Sequence, residues 1–221
     1  MIIYHGSEKR VEKPLFGYGK KENDYGQGFY TTEIMELAKE WSASGIRDGY
    51  LNTYDLCMDG LRILDLNDDH WNILNWLSVL AEHRVFDIPL NRKSNFDYLI
   101  DNFHVDISSY DLIRGYRADD SYFSMAKAFI RNDITLSQLK KGMYLGELGI
   151  QWCLKSEKAF SRISFISAEQ VPLSEYRPRK VLRDDKARSA FRNGIVVEDD
   201  SEILMADIRR EGMKQDDPRL Q

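Results

Sequence analysis

The sequence predicts an α+β protein with strands towards both ends and a helix-rich middle. Three observations predict this class. Short β-prone runs occupy the first residues and residues 28–32, and two more occupy 150–155 and 162–167. Between residues 71 and 129, apolar side chains recur at helical spacing. We therefore expect a mixed or antiparallel sheet, helices inserted in its middle, and a helical C-terminal extension.

Composition sets limits on function. The chain has 221 residues, which is long enough for one large domain. Of these residues, 43% are hydrophobic and 30% are charged, as is ordinary for a globular protein. Its net charge of −5 argues against a large phosphate-binding surface but allows a local basic patch. The two cysteines lack metal-ligand spacing and are expected to be reduced. No apolar run approaches the roughly 20 residues of a membrane span, and we expect a cytoplasmic protein.

The first third of the chain predicts two strands, a loop and a helix. The first β-prone run ends at residues 5–7, and the polar residues 9–23 are expected to form a loop. The second strand covers 28–32. Apolar residues then repeat at helical spacing, which predicts an amphipathic helix to about Ser44.

The middle of the chain predicts a hairpin followed by helices. Residues 50–58 and 61–66 are β-prone and flank the turn pair Asp59-Gly60, which predicts a hairpin. Helical spacing then marks two helices, at residues 71–81 and 96–103. Later elements are a strand at 110–116, a helix carrying Phe123 and Phe129, and a capping box at 135–138.

The composition changes after Pro178. Residues 179–221 are rich in charged side chains, with helical pieces around 184–192 and 201–210. We therefore divide the chain into a domain at 1–178 and a charged helical extension at 179–221.

Several site classes find no support in the sequence. The four histidines are scattered and have no second ligand at metal-binding spacing. A phosphate loop, a complete dinucleotide fingerprint and a serine-hydrolase elbow are missing from the sequence. The most distinctive stretch is residues 24–32 (DYGQGFYTT), where two nearby glycines allow close approach to the backbone.

Four short blocks resemble those of a known superfamily. They are residues 4–7 (YHGS), 24–30 (DYGQGFY), 117–123 (RADDSYF) and 154–156 (LKS). Their order resembles the ADP-ribosyltransferase superfamily, in the branch shared by diphtheria toxin and the poly(ADP-ribose) polymerases. More closely, the chain looks like a bacterial family of uncharacterised domains in the same clan. The resemblance covers roughly residues 2–170 and implies a split, twisted sheet with an NAD cleft between its halves.

The resemblance implies roles for the first blocks. His5 would hydrogen-bond a ribose hydroxyl, which a neutral imidazole can do. Gly6 would offer its backbone to the nicotinamide carboxamide, and Ser7 would belong to the same cofactor-binding block. Tyr30 would stack on the nicotinamide ring as a catalytic residue. Taken alone, a histidine near a strand end or a tyrosine within a strand is more often structural.

Other residues have open assignments. Tyr25 or Phe29 could close the wall of the NAD pocket, and Arg117 could contact the pyrophosphate or the acceptor. Asp119 and Asp120 either cap the following helix or face the pocket. In the second case, Asp120 would act on the acceptor or supply negative charge.

The third catalytic position departs from the superfamily. Its glutamate corresponds to Gln151 here, which keeps hydrogen bonding but lacks the charge beside an oxocarbenium-like centre. Removing one such electrostatic contact typically lowers a rate by about 10²–10³-fold. Glu147 is a possible substitute, although it could also face solvent on the turn that leads to Gly149.

The resemblance implies a mono-ADP-ribosyltransferase that cleaves NAD, releases nicotinamide and modifies a macromolecule. The resemblance further implies a bacterial toxin of a toxin–antitoxin or defence system, with a possible antitoxin partner. Alternatives are a non-catalytic NAD- or ADP-ribose-binding module, an NAD glycohydrolase, or an adaptor that keeps only the fold. Acidic charge favours a protein acceptor slightly over nucleic acid. No metal or membrane is expected.

Overall fold

A computed structural model of the protein describes residues 1–118, 120–144, 149–194 and 202–221. Its strands are β1 Ile2–Ser7, β2 Phe29–Thr32, β3 Gly49–Leu56, β4 Ile63–Asp65, β5 Leu112–Tyr116, β6 Ile150–Leu154 and β7 Ile163–Val171. Its α-helices are α1 Met35–Ser42, α2 Ile73–His83, α3 Lys93–Phe103, α4 Asp120–Ile130, α5 Leu136–Tyr144, α6 Glu157–Ser161, α7 Leu173–Gly194 and α8 Met205–Glu211. The predicted α+β class is confirmed.

The seven described strands form one mixed sheet in the order β4-β5-β6-β2-β1-β3-β7. Only β4 and β5 pair in parallel; the other neighbours are antiparallel. Strands β1 and β2 lie at the centre and pair at a single register position, Tyr4 with Thr32. Across the described ranges, no helix is both long and apolar enough to cross a membrane.

The hairpin predicted around Asp59-Gly60 is wrong. The strand before this turn, β3, pairs with β1 and β7, whereas β4 pairs with β5 at the far edge of the sheet. Gly60 does adopt a left-handed conformation with φ of 70°, so the turn itself forms. The chain leaves the turn towards the opposite edge because long-range pairing with β5 takes the place of the local partner.

Apolar side chains cover both faces of the sheet. The main core lies against the helical layer, and its largest fully buried members include Trp76, Tyr122, Phe103 and Phe129. A smaller core on the other face contains Ile3, Tyr54, Leu56, Trp152 and Leu154. The alternation of Trp152 and Leu154 with Gln151 and Cys153 along β6 places these two pairs on opposite faces.

Local signals fix some helix boundaries. The predicted capping box at 135–138 is present: the Gln138 side chain accepts from the Thr135 amide, and the Thr135 hydroxyl accepts from the Gln138 amide. Helix α2 begins in the same way, with Asn72 as its cap and Asn75 closing the box.

The described residues of the C-terminal segment pack on the rest of the chain. The boundary expected at Pro178 falls inside helix α7, and the proline lies within that helix. Further on, Met205, Ile208, Met213 and Leu220 are buried in the main core. The residues that end the chain therefore help to build the core of the domain.

Candidate functional site

A cavity of about 330 Å³ lies where β2, β6 and the β5–α4 connection meet α1 and α7. This volume is at the lower end of the range of small-molecule sites. The lining residues are Asn23, Asp24, Tyr30, Trp41, Arg84, Arg117, Ala118, Gln151, Lys180 and Asp184. Three predicted site residues therefore meet here, namely Tyr30, Arg117 and Gln151.

Strand pairing brings Tyr30 and Gln151 to one face of the sheet. β2 and β6 are antiparallel, with Tyr30 opposite Cys153 and Thr32 opposite Gln151. Because side chains two residues apart on a strand point the same way, both Tyr30 and Gln151 lie on the face towards α1 and the main core.

The Gln151 amide is held in one orientation. Its Nε2 donates to Asp24 Oδ2 at 2.8 Å and to the Tyr116 carbonyl at 3.3 Å. A carbonyl and a carboxylate only accept, so the amide nitrogen must face them. The Oε1 atom remains as a neutral acceptor in the cavity wall.

Asp24 is the centre of the polar network, and sequence reasoning gave it no role. The side chain is buried, with 3% of its surface exposed. It accepts from Arg84 Nη1 at 2.8 Å, the Ala118 amide at 2.9 Å and Gln151 Nε2 at 2.8 Å. One carboxylate thus joins the turn before β2, the end of α2, the β5–α4 connection and β6.

The Tyr30 hydroxyl belongs to the turn rather than to the cavity. It donates to the Gly26 carbonyl at 2.6 Å and accepts from the Tyr25 amide at 2.9 Å. Burial raises the pKa of Tyr30 far above the usual value, so the phenol stays protonated. The ring is therefore fixed in position by its own turn and lines the cavity.

Tyr25 is a core residue and does not line the cavity. It is fully buried, and its ring stacks on Tyr30 with centroids 6.3 Å apart. Its hydroxyl donates to the Tyr116 carbonyl at 2.6 Å and accepts from Trp76 Nε1 at 3.2 Å. Tyr25 therefore supports Tyr30 from behind.

His5 lies between β1 and β2, outside the lining of this cavity. Its Nδ1 is 2.7 Å from the Tyr30 carbonyl, which can only accept, so Nδ1 carries the proton. The ring packs on Phe29 with centroids 4.5 Å apart, and Phe29 faces the smaller core. Burial lowers the pKa of His5, which favours the neutral imidazole.

Replacing His5 with asparagine is expected to flatten the stability profile between pH 7 and pH 5. A histidine with a lowered folded pKa loses stability as pH falls below its unfolded value of about 6.5. Asparagine keeps a donor near the position of Nδ1 but cannot be protonated. Urea unfolding at several pH values measures how the free energy of unfolding of each protein depends on pH. His83, whose pKa burial also lowers, leaves a residual slope. An unchanged profile would contradict a His5 that is neutral in the folded protein.

Gly6 and Ser7 have packing roles in this fold. A Cβ on Gly6 would lie 1.7 Å from the Ala38 carbonyl oxygen, because α1 packs directly on β1. The Ser7 hydroxyl donates to the Lys9 carbonyl at 2.6 Å and accepts from Asn52 Nδ2 at 3.1 Å. Neither lines the cavity, and the close approach of α1 requires glycine at position 6 whatever ligand is bound.

Arg117 and Trp41 form the aromatic and cationic part of the wall. The Arg117 guanidinium lies 4.6 Å from the centroid of the Trp41 ring. Trp41 Nε1 is buried and lacks a hydrogen-bond partner among the described residues. Such an orphan donor in a cavity wall is typical of a site that receives an acceptor from a ligand or water. In the sequence, Trp41 only continues the helical pattern that predicts α1.

The structure assigns no role in the cavity to the remaining acidic candidates. Asp119 and Glu147 lie outside the described residues, and Asp120 begins helix α4. Within the described chain, no group of three or more histidine, cysteine or acidic side chains is arranged to hold a metal ion.

Helix α7 closes one side of the cavity with Lys180 and Asp184. Charged side chains hold it on α1 and on the residues that follow: Arg183 Nε is 2.6 Å from Glu40 in α1, and Lys180 Nζ donates to Ser44 Oγ at 2.8 Å just beyond it. The cavity wall thus carries three cationic and two acidic side chains. Arg84 and Asp24 neutralise each other, which leaves Arg117 and Lys180 against Asp184. This balance suits an anionic ligand.

Replacing Gln151 with glutamate is expected to destabilise the protein increasingly as pH rises. The new carboxylate would lie against Asp24 in a buried site, which raises the pKa of one of the two carboxyls. A raised folded pKa gives stability that is present below about pH 4.3 and lost above it. A shift of two to three pKa units corresponds to about 3–4 kcal/mol less stability at neutral pH.

The matched control for this change is Gln170→Glu. Gln170 also donates to an aspartate, Asp48, at 3.2 Å, but that pair is exposed. We expect Gln170→Glu to change stability by less than about 1 kcal/mol across the same pH range. Equal pH profiles for the two variants would contradict the buried contact between Gln151 and Asp24.

The chain was compared with protein families, curated proteins and solved structures. No significant match to a curated protein or a solved structure was found. One family model, described as a protein of unknown function (DUF3990), matches residues 1–165. Because this match covers more than half of the 221 residues, the chain belongs to the DUF3990 family.

Proposed function

We propose that the cavity binds NAD and that the protein is a mono-ADP-ribosyltransferase with a macromolecular acceptor. One observation carries the proposal. Tyr30 and Arg117 lie in two separate blocks of the resemblance and Gln151 corresponds to its third catalytic position, yet all three line one cavity. Residues so distant in sequence have no local reason to share a polar cavity. In this proposal the family to which the chain belongs has the ADP-ribosyltransferase fold.

The chemistry of the wall fits the parts of NAD. Trp41 and Tyr30 offer aromatic surfaces to the nicotinamide ring. Arg117 and Lys180 supply positive charge for the pyrophosphate. The Oε1 atom of Gln151 would accept a hydrogen bond from a ribose hydroxyl, because its amide nitrogen is engaged by Asp24.

The proposed reaction breaks one bond and makes one. The N-glycosidic bond between ribose C1′ and nicotinamide breaks, and its electron pair leaves with nicotinamide. An acceptor nucleophile attacks C1′ and loses its proton. Positive charge develops on the ribose in between, and a neutral Gln151 stabilises it less than a carboxylate would. We expect slow, single transfer rather than chain elongation.

A second candidate is a module that binds NAD or ADP-ribose without turnover. The specific observation in its favour is that the charge of Asp24 is already engaged by Arg84, while Gln151 is neutral. The resemblance extends the first candidate to a toxin restrained by an antitoxin. NAD hydrolysis without an acceptor would be the enzymatic alternative.

The Trp41→Ala variant tests the site. We expect its affinity for NAD to fall at least about fivefold in isothermal titration calorimetry, since loss of one stacking contact costs about 1–3 kcal/mol. The matched control is Trp71→Ala. Trp71 is also half-buried but lies outside this cavity. Equal NAD affinity of Trp41→Ala and the unmodified protein would refute this binding site.

A further inference from the structure

The connection between β1 and β2 carries a concentrated positive charge in an otherwise acidic chain. We call residues 9–21 the basic–aromatic loop. Its sequence is KRVEKPLFGYGKK, with five basic residues and one acidic residue, whereas the whole chain has a net charge of −5. Positive charge is therefore gathered at one place on the surface.

The charges of this loop are available to a partner. Lys9, Lys13, Lys20 and Lys21 are exposed, and no ion pair to any of them is found among the described residues. Arg10 alone is paired, with Glu12 at 2.9 Å. A patch of unneutralised lysines attracts polyanions.

Large apolar side chains stand exposed between the lysines. The exposed fractions are 58% for Leu15, 52% for Phe16 and 81% for Tyr18. Folding packs one edge of Phe16 against Phe160, yet all three side chains keep more than half of their surface exposed to water. Aromatic rings interleaved with basic residues are typical of surfaces on which the bases of a single strand stack.

The loop is held against the stretch that leads to the cavity. The Gln27 side chain donates to the carbonyls of Gly17 and Gly19, at 2.5 and 2.8 Å. A Cβ on Gly19 would lie 2.5 Å from the Gly28 carbonyl oxygen, so the two backbone segments are in contact. The Phe16 ring also packs edge-on against Phe160. The loop is therefore a fixed surface adjacent to the turn that carries Asp24.

We propose that the basic–aromatic loop binds single-stranded nucleic acid. Its lysines neutralise backbone phosphates, and Tyr18 and Phe16 stack on bases. An acidic protein would satisfy the lysines but would leave the Tyr18 ring and the exposed part of the Phe16 ring without a stacking partner. That this nucleic acid is also the acceptor of ADP-ribose rests on the function proposed above; binding itself does not require NAD.

Fluorescence anisotropy with a 5′-fluorescein dT12 strand, and with the corresponding rU12 strand, tests binding in 50–300 mM NaCl. With four to five phosphate contacts, log K should fall against log salt with a slope of about −3. Tyr18→Ala should weaken binding at least about fivefold. Lys20→Ala/Lys21→Ala should reduce the slope by about 1.4. The charge-matched control, Lys93→Ala/Lys141→Ala on helices α3 and α5, should leave affinity unchanged.

Two results would overturn the inference. One is the absence of binding to either strand at 50 mM NaCl. The other is equally tight binding of a polyglutamate peptide with no effect of Tyr18→Ala, which would make the loop a site for acidic proteins. Adding NAD separates the two proposals. Strand binding without NAD affinity would support the loop as a nucleic-acid site and contradict the proposed transferase. NAD cleavage without strand binding would support the transferase and contradict the nucleic-acid site.

Discussion

Replacing Asp24 with asparagine is expected to lower the free energy of unfolding by about 2–4 kcal/mol. Three donors converge on this buried carboxylate, from Arg84, Ala118 and Gln151. An asparagine has one acceptor oxygen, and its NH₂ group would face a donor in either orientation. In addition, the partly buried Arg84 guanidinium would lose its counter-charge.

Urea unfolding measures this change, and the melting temperature should fall by roughly 5–15 °C for a chain of this size. The matched control is Asp65→Asn. Asp65 pairs with Arg114 at 2.7 Å, but both side chains are about one third exposed. That variant should lose less than about 1 kcal/mol. Similar losses for the two variants would contradict the central place given to Asp24.

Replacing Gly6 with alanine is expected to destabilise the protein by about 3 kcal/mol or more. The added Cβ would lie 1.7 Å from the Ala38 carbonyl oxygen and 2.7 Å from the Ser42 amide nitrogen. Both atoms belong to the backbone of α1, so the helix must move away from β1. Overpacking typically costs 1–3 kcal/mol, and a backbone clash lies at the upper end of that range.

The displacement of α1 should also affect the cavity, because Trp41 is carried by this helix. We expect the Gly6→Ala protein to show weaker NAD affinity even where it remains folded. The control is Gly45→Ala, whose Cβ would meet only the flexible Glu8 side chain, at 2.3 Å. A Gly6→Ala protein as stable as Gly45→Ala would refute the close packing of α1 on β1.

Most elements could be predicted because local signals agree with the tertiary structure. The alternation of residues 150–155 became β6, and the capping box at 135–138 became the start of α5. The hairpin failed because strand pairing is decided by partners far along the chain. Nothing near Asp59-Gly60 reveals that β4 pairs with β5, about fifty residues later.

The site could be predicted only in part. The resemblance pointed to Tyr30, Arg117 and Gln151, which share the cavity. Asp24 and Trp41 carry no local mark of function: one precedes a turn, and the other continues a helical pattern. The three donors around Asp24 come from distant elements, and only the folded chain brings them together.

The most direct test of the central claim uses NAD labelled in its adenylate half, incubated with the purified protein and cell lysate. We predict release of nicotinamide and transfer of the label to a macromolecule, both reduced at least about fivefold in Trp41→Ala at sub-saturating NAD and retained in Trp71→Ala. Nuclease or protease treatment then identifies the acceptor class. NAD binding without nicotinamide release would contradict the transferase and favour the binding module. A protein that neither binds nor cleaves NAD would contradict the whole assignment.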